Sequence, residues 1–170
     1  MLTLFSIPKP FCGHIGVIQT NALQSWLKLA PRCEIILFGN EEGIAETAVR
    51  FGVKHVPDIT CNEYGTPLLN DAFERAQAMA SHRLACYINS DIILTSDFSR
   101  SVAIAARFKN TFLMVGQRRD AELDHALDFT QSDWQERLRQ HVQRHGRLRP
   151  PDWIDYFVFS KGLYPRGPPF

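Results

Sequence analysis

Asn89 and Asp91 stand two residues apart in the run Leu84-Ala85-Cys86-Tyr87-Ile88-Asn89-Ser90-Asp91-Ile92-Ile93-Leu94, which is otherwise apolar and reads as a strand. An ionised carboxylate withdrawn from water costs several kcal/mol unless a cation or hydrogen-bond donors compensate it. Asp91 therefore calls for a metal, a set of donors, or a strand end that opens to solvent. Side chains alternate across a strand, so Asn89 is predicted on the same face. Two converging oxygen groups suit a hard divalent cation: Mg²⁺ or Mn²⁺ takes one or two protein carboxylates and fills its octahedron with phosphates and water. The plainer alternative for Asp91 is a turn or helix-cap carboxylate.

Three further groups have chemistry to offer. Arg118 and Arg119 follow a predicted strand, Thr111 to Gly116, at a place suited to bidentate capture of phosphate or of an acidic acceptor. Asp155, between Ile154 and Tyr156 in an aromatic run, is a candidate general base or acceptor contact, or else a structural partner of the preceding loop. His141 and His145 lie four apart on one helix face, but no further metal ligand is adjacent, and a polar helix face is the expected reading.

The elements that must position these residues alternate. Leu2 to Ile7 reads as a strand, Gly16 to Ala30 as a helix, Cys33 to Phe38 as a strand, Ile44 to Phe51 as a helix, and Val53 to Val56 as a strand. A helix starting near Pro67 leads to the Asp91 strand, and helices over Phe98 to Phe108 and Trp134 to His145 precede a last strand, Trp153 to Phe159. Such alternation predicts an α/β fold, a three-layer Rossmann-like sheet that is mostly parallel. Ligands of open parallel sheets bind beyond the carboxyl ends of the strands, which singles out the loops Pro8 to Gly13, Gly39 to Glu42 and Asn89 to Asp91. No G-x-G-x-x-G or Walker-type lysine motif occurs in them.

With 170 residues, 45% hydrophobic and 22% charged, the chain fits one domain, 1–170. A net charge of +1 gives no global case for nucleic acid; the basic stretch Arg137 to Arg149 reads as a solvated helix face and tail. The four cysteines, Cys12, Cys33, Cys61 and Cys86, form no C-x-x-C pair, and with no secretory leader the expected compartment is cytoplasmic. No apolar run is long enough for a membrane span.

The segment Asn62-Glu63-Tyr64-Gly65-Thr66-Pro67-Leu68-Leu69-Asn70, then Tyr87 to Leu94, then Gly116-Gln117-Arg118-Arg119-Asp120 and Trp153 to Phe159, in that order, resembles the nucleotide-diphospho-sugar transferases of GT-A fold. The resemblance implies a glycosyltransferase that binds a nucleotide diphosphate-sugar donor through Mn²⁺ or Mg²⁺ and passes the sugar to a glycan, lipid or small-molecule acceptor. It implies that Asn89-Ser90-Asp91 replaces a D-x-D motif, with Asp91 and Asn89 on the metal. Asn70 and Arg75 would present donors to the nucleotide or its phosphates, and Ile7, Pro8 and Asn40 would give backbone and shape contacts to the base. Residues 1–94 would form the nucleotide-binding half and 95–170 a partial acceptor-side half, shortened after Pro168-Pro169-Phe170. A non-catalytic sugar-nucleotide-binding or assembly module, self-associating through its aromatic tail, stays open beside the enzyme. A nucleotidyltransferase is less favoured, since Pro8 to Gly16 lacks the glycines and basic groups that grip a triphosphate.

Overall fold

Apolar residues in the first strand fall on both faces, as a strand buried between two helical layers requires. In β1 (Leu2–Ser6), Leu2 and Leu4 point to one core while Phe5 points to another. β2 (Glu34–Phe38) divides the same way, Ile35 and Leu37 against Ile36 and Phe38. α1 (Gly13–Leu27) and α2 (Ile44–Phe51) cover the Leu4 face through Leu23, Trp26, Ile44 and Ala48. After β3 (Lys54–Val56), α3 (Leu69–Met79) covers the Phe5 face with Ala72, Phe73 and Ala76. Phe73 meets Phe5 edge-on at 5.1 Å and stacks on Phe159 at 5.3 Å, geometries that add to simple area burial.

β4 (Leu84–Ile88), α4 (Ser96–Phe108), β5 (Leu113–Gln117), β6 (Arg119–Asp120), α5 (Trp134–His145), β7 (Arg147–Leu148) and β8 (Ile154–Ser160) complete the order. This computed structural model describes residues 1–164. The main sheet has six strands in the order β3-β2-β1-β4-β8-β5, and a separate ribbon pairs β6 with β7. β1 to β4 are mutually parallel, and β8 runs antiparallel between β4 and β5. The three-layer, mostly parallel α/β arrangement is therefore the one the alternating pattern predicts. Pro168-Pro169-Phe170 lie outside the described residues, and among the described residues no helix is long and apolar enough to cross a membrane.

The Asp91 strand is a correction. β4 stops at Ile88, and Asn89 to Asp91 form a turn. Ile92 to Leu94 do not continue the sheet because α1 takes their backbone instead: Trp26 Nε1 donates to Ile92 O at 2.8 Å and Leu94 N donates to Ser25 Oγ at 3.0 Å. Asp91 is exposed, so it carries no burial penalty, and strand alternation no longer places it beside Asn89.

Candidate functional site

The carboxyl ends of β1, β2 and β4 meet at one edge of the sheet, joined there by the start of β8 and the end of β5. Pro8 is buried and Ile7 half-buried after β1, and Phe11 N donates to Glu42 O at 2.8 Å, tying the first loop to the one after β2. Gly39 takes φ +101°, a backbone that side chains resist, and so lets β2 turn out sharply. His55 Nε2 donates to Gly39 O at 2.8 Å from the next strand, and Asn40 beyond it is exposed. Asn70 lies in the first turn of α3 at the same edge, its Oδ1 shielded and without a partner. Arg75 is held elsewhere: its Nε donates to Asp71 Oδ1 at 2.9 Å, and Asp71 in turn accepts from Thr60 N at 2.7 Å.

Behind the turn lies a chain of polar groups. Asn89 N donates to Asp155 O at 2.9 Å, and Asn89 Nδ2 donates to Asp155 Oδ1 at 2.8 Å. Tyr87 Oη donates to Asn89 Oδ1 at 3.1 Å; burial first, then the nearby charges of Asp91 and Asp155, push this phenol up to about 12, so it keeps its proton. Arg118 Nη1 reaches the same Asp155 Oδ1 at 2.5 Å, and its Nε lies 2.8 Å from Asp120 Oδ1. Partial burial works against the charge on Arg118, but Asp155 and Asp120 outweigh it and raise the guanidinium above its ordinary value. Asp155 itself is only 5% exposed, and its second oxygen, Oδ2, is buried without any hydrogen-bond partner. A β-bulge between Val115 and Gln117 aims Arg118 at this carboxylate. Gly116 sits in that bulge, where a Cβ would meet Tyr156 Oη at 1.8 Å.

Asp91, Arg118 and Arg119 line a cleft of about 970 Å³ that extends past Ile92 and Ile93 to Asp120, Glu122 and the end of α5. Asn89 and Asp155 lie beneath it rather than on its surface, and Ile7, Pro8, Asn40, Asn70 and Arg75 do not line it. The sequence-predicted residues thus fall into two sets at one sheet edge. Asp91 is exposed and, like Glu122 farther along the cleft, forms no ion pair among the described residues, and among them no group of three or more His, Cys, Asp or Glu side chains converges in a metal-holding arrangement. Asn89, with its amide committed to Tyr87 and Asp155, is poorly placed to be the second ligand. At this turn a divalent ion would find one protein carboxylate, Asp91, and would take its remaining ligands from phosphates and water.

Sequence reasoning missed the residues of α1 that hold this edge together. Gln19 is 2% exposed; its Oε1 accepts from Lys9 N at 2.8 Å and from Ser90 Oγ at 2.6 Å, and its Nε2 donates to Lys9 O at 2.9 Å. One amide thereby joins the loop after β1 to the turn that carries Asp91. Asn21 does the same for another loop, donating to His125 O and accepting from Leu127 N, each at 2.9 Å. A signal for Gln19 exists in the sequence: it shares the i, i+3, i+4, i+7 stripe with Ala22, Leu23 and Trp26, an otherwise apolar face. A buried amide in such a stripe needs partners, and loops are what an inward helix face meets.

No family model matches the sequence, and no curated protein matches it either. Solved structures do. A Desulfovibrio desulfuricans protein described as a nucleotide-diphospho-sugar transferase superposes with a TM-score of 0.53 at 9% identity, over 94% of this chain and 63% of its own. CMP:2-keto-3-deoxy-manno-octonic acid synthetase, in complex with CTP, gives 0.52 at 8% identity, over 96% and 76%. The 4-diphosphocytidyl-2C-methyl-D-erythritol synthase of Anaerococcus prevotii gives 0.52 at 13%, over 97% and 72%. This chain spans less than two thirds of the length of the first of these. At such identities the likeness is one of architecture: the chain shares the α/β fold of these structures.

Proposed function

We propose that the protein is a glycosyltransferase-like enzyme that binds a nucleotide diphosphate-sugar at the carboxyl edge of β1, β2 and β4 and transfers the sugar to an acceptor in the adjoining cleft. The observation that carries this reading is Asp91, exposed in the turn after β4 and opening on the cleft, while Asn89, Asp155 and Arg118 fix the turn from behind. Ile7, Pro8 and Asn40 would bound the base, and Asn70, in the first turn of α3, would offer its amide N–H to the nucleotide. A Mn²⁺ or Mg²⁺ ion held through Asp91 would offset the charge of the departing diphosphate. Asp155, too buried to touch an acceptor, acts as a positioning residue that holds Asn89 and Arg118 in place.

Calorimetric titration with uridine, guanosine, cytidine and thymidine diphosphate-sugars, with and without Mn²⁺, tests the reading. One nucleotide class should bind in a metal-dependent way, and Asp91→Ala should weaken it at least tenfold, about 1.4 kcal/mol, with the fold retained. Unchanged affinity in the variant would remove Asp91 from the site. A second reading, a binding or assembly module without turnover, is supported by the single carboxylate of the Asn89-Ser90-Asp91 turn; donor binding with neither transfer nor donor hydrolysis would favour it. Nucleotidyl transfer, the chemistry named for two of the structural neighbours, predicts instead that a nucleoside triphosphate binds better than any diphosphate-sugar.

A further inference from the structure

The cleft has a wall that the donor reading leaves without a task. α5 ends with His141 and His145, whose rings are 5.1 Å apart, and β7 follows at once with Arg147, paired across the ribbon with Asp120. Arg119 lies on the facing strand, and all four residues line the cleft. The arginines around Asp120 divide into two kinds. Arg118 and Arg149 are committed: both reach Asp120, and both stack over Trp153, at 5.2 and 4.8 Å. Arg119 and Arg147 are exposed and, among the described residues, form no ion pair. The committed pair makes the ribbon rigid, helped by Arg149 N donating to Arg118 O at 3.0 Å and by the Gln117 amide donating to Arg149 O. His141 Nε2 donates to Glu122 O at 2.9 Å, which fixes the ring; its Nδ1 donates to an anion when the ring carries its second proton.

Uncommitted guanidinium groups on a rigid support, beside imidazoles, recognise oxyanions, because little side-chain entropy remains to be lost on binding. Of the residues assigned above to the donor, Asp91 alone reaches this cleft, so the wall lies beyond the nucleotide, on the side where the sugar must meet its acceptor. The acids that line the same cleft are Asp91, exposed Glu122, Asp124, which is paired with His125 at 2.9 Å, and Asp120, which Arg118 and Arg149 hold. We infer that Arg119, Arg147, His141 and His145 form an acceptor subsite that takes an anionic group, a phosphate or a carboxylate. Its placement on the acceptor side rests on the reading of Asp91 as the donor's anchor.

The test is titration of the whole chain with inorganic phosphate and, separately, with acetate, followed through the ring resonances of the histidines. His141 and His145 should move together on one saturating curve, while His55, at the nucleotide edge, and His82 stay still. The double variant Arg119→Gln, Arg147→Gln, both exposed positions that the fold tolerates, should weaken phosphate at least tenfold and change nucleoside diphosphate affinity by less than twofold. No movement of the two rings, or an undiminished curve in the variant, overturns the inference. So does an equal loss of nucleoside diphosphate binding, which would give the wall to the donor. If no nucleoside diphosphate binds the parent protein while phosphate still binds at this wall, the donor reading fails and the anion site stands.

Discussion

Two carboxylates sit at opposite edges of the same sheet, Glu34 at the amino edge and Asp155 at the carboxyl edge, with side chains 12% and 7% exposed. Glu34 is closed on every side: Oε2 accepts from Thr3 Oγ1 at 2.6 Å and Ser81 N at 2.8 Å, and Oε1 from Ser81 Oγ at 2.9 Å and Lys54 Nζ at 2.5 Å. Asp155 has both donors on Oδ1 and none on Oδ2. The first arrangement ties the starts of β1, β2 and β3 to the loop before β4 and offers nothing to a ligand. The second keeps an unsatisfied oxygen under a cleft, a state that costs stability and that a structural role alone does not require. The difference separates an edge whose polar groups are used up within the fold from an edge with polar capacity to spare.

The comparison can be broken from either side. Gly116→Ala attacks the carboxyl edge most severely, because the new methyl overlaps Tyr156 and must displace the bulge that aims Arg118. A loss of about 3 kcal/mol in urea unfolding is expected, together with weaker donor binding; a loss well under about 1 kcal/mol would mean that the bulge does not constrain Arg118.

Glu34→Gln should cost roughly 2 kcal/mol at neutral pH and leave donor binding unchanged, a figure reduced from the full shift because the site borders solvent. Burial pushes Glu34 up, but its bonds to Lys54, Thr3 and Ser81 outweigh this and bring it from 4.5 down to about 2. A depressed carboxylate stabilises the fold above its unfolded value and loses that contribution as pH falls through the folded one. The parent protein should therefore lose this increment between pH 4.5 and about 2, and the variant should not; parallel pH profiles would refute the account. The smallest effect is expected from Asp155→Asn, which keeps the shape and removes the charge opposite Arg118. Donor affinity should fall about tenfold, or 1.4 kcal/mol, with a smaller change in stability. If stability falls and affinity does not, Asp155 belongs with Glu34 as a structural group.

Much of the fold was legible because burial writes itself into the order of residues. Ile44–Phe51 and Trp134–His145 are helices over the predicted bounds, and β1, β2 and β3 fall within a residue or so of theirs. The ribbon of β6 and β7 was not legible, since two-residue strands carry no alternation and their pairing joins segments far apart in the chain. Its consequence was larger than its size, for it moves Arg147 and Arg149 from a basic tail into the cleft. Ile92-Ile93-Leu94 misled for a different reason. Apolar side chains mark burial, and whether a buried backbone is satisfied by a strand or by Trp26 and Ser25 is a tertiary fact. Arg118 was found by its place after a strand, while its commitment to Asp155 and Asp120 depended on the bulge.

The position of β8 bears on how the protein is made. Residues 154–160 are the last strand in sequence yet lie between β4 and β5 in the sheet. As the chain leaves the ribosome, β4 must wait with one edge unpaired and β5 has no partner at all until some forty residues later have emerged. β1 to β4 are complete in sequence by residue 88, whereas Asn89 and Arg118 gain their shared carboxylate only when synthesis reaches Asp155. The parallel part of the sheet can therefore form before the polar groups at its carboxyl edge are assembled.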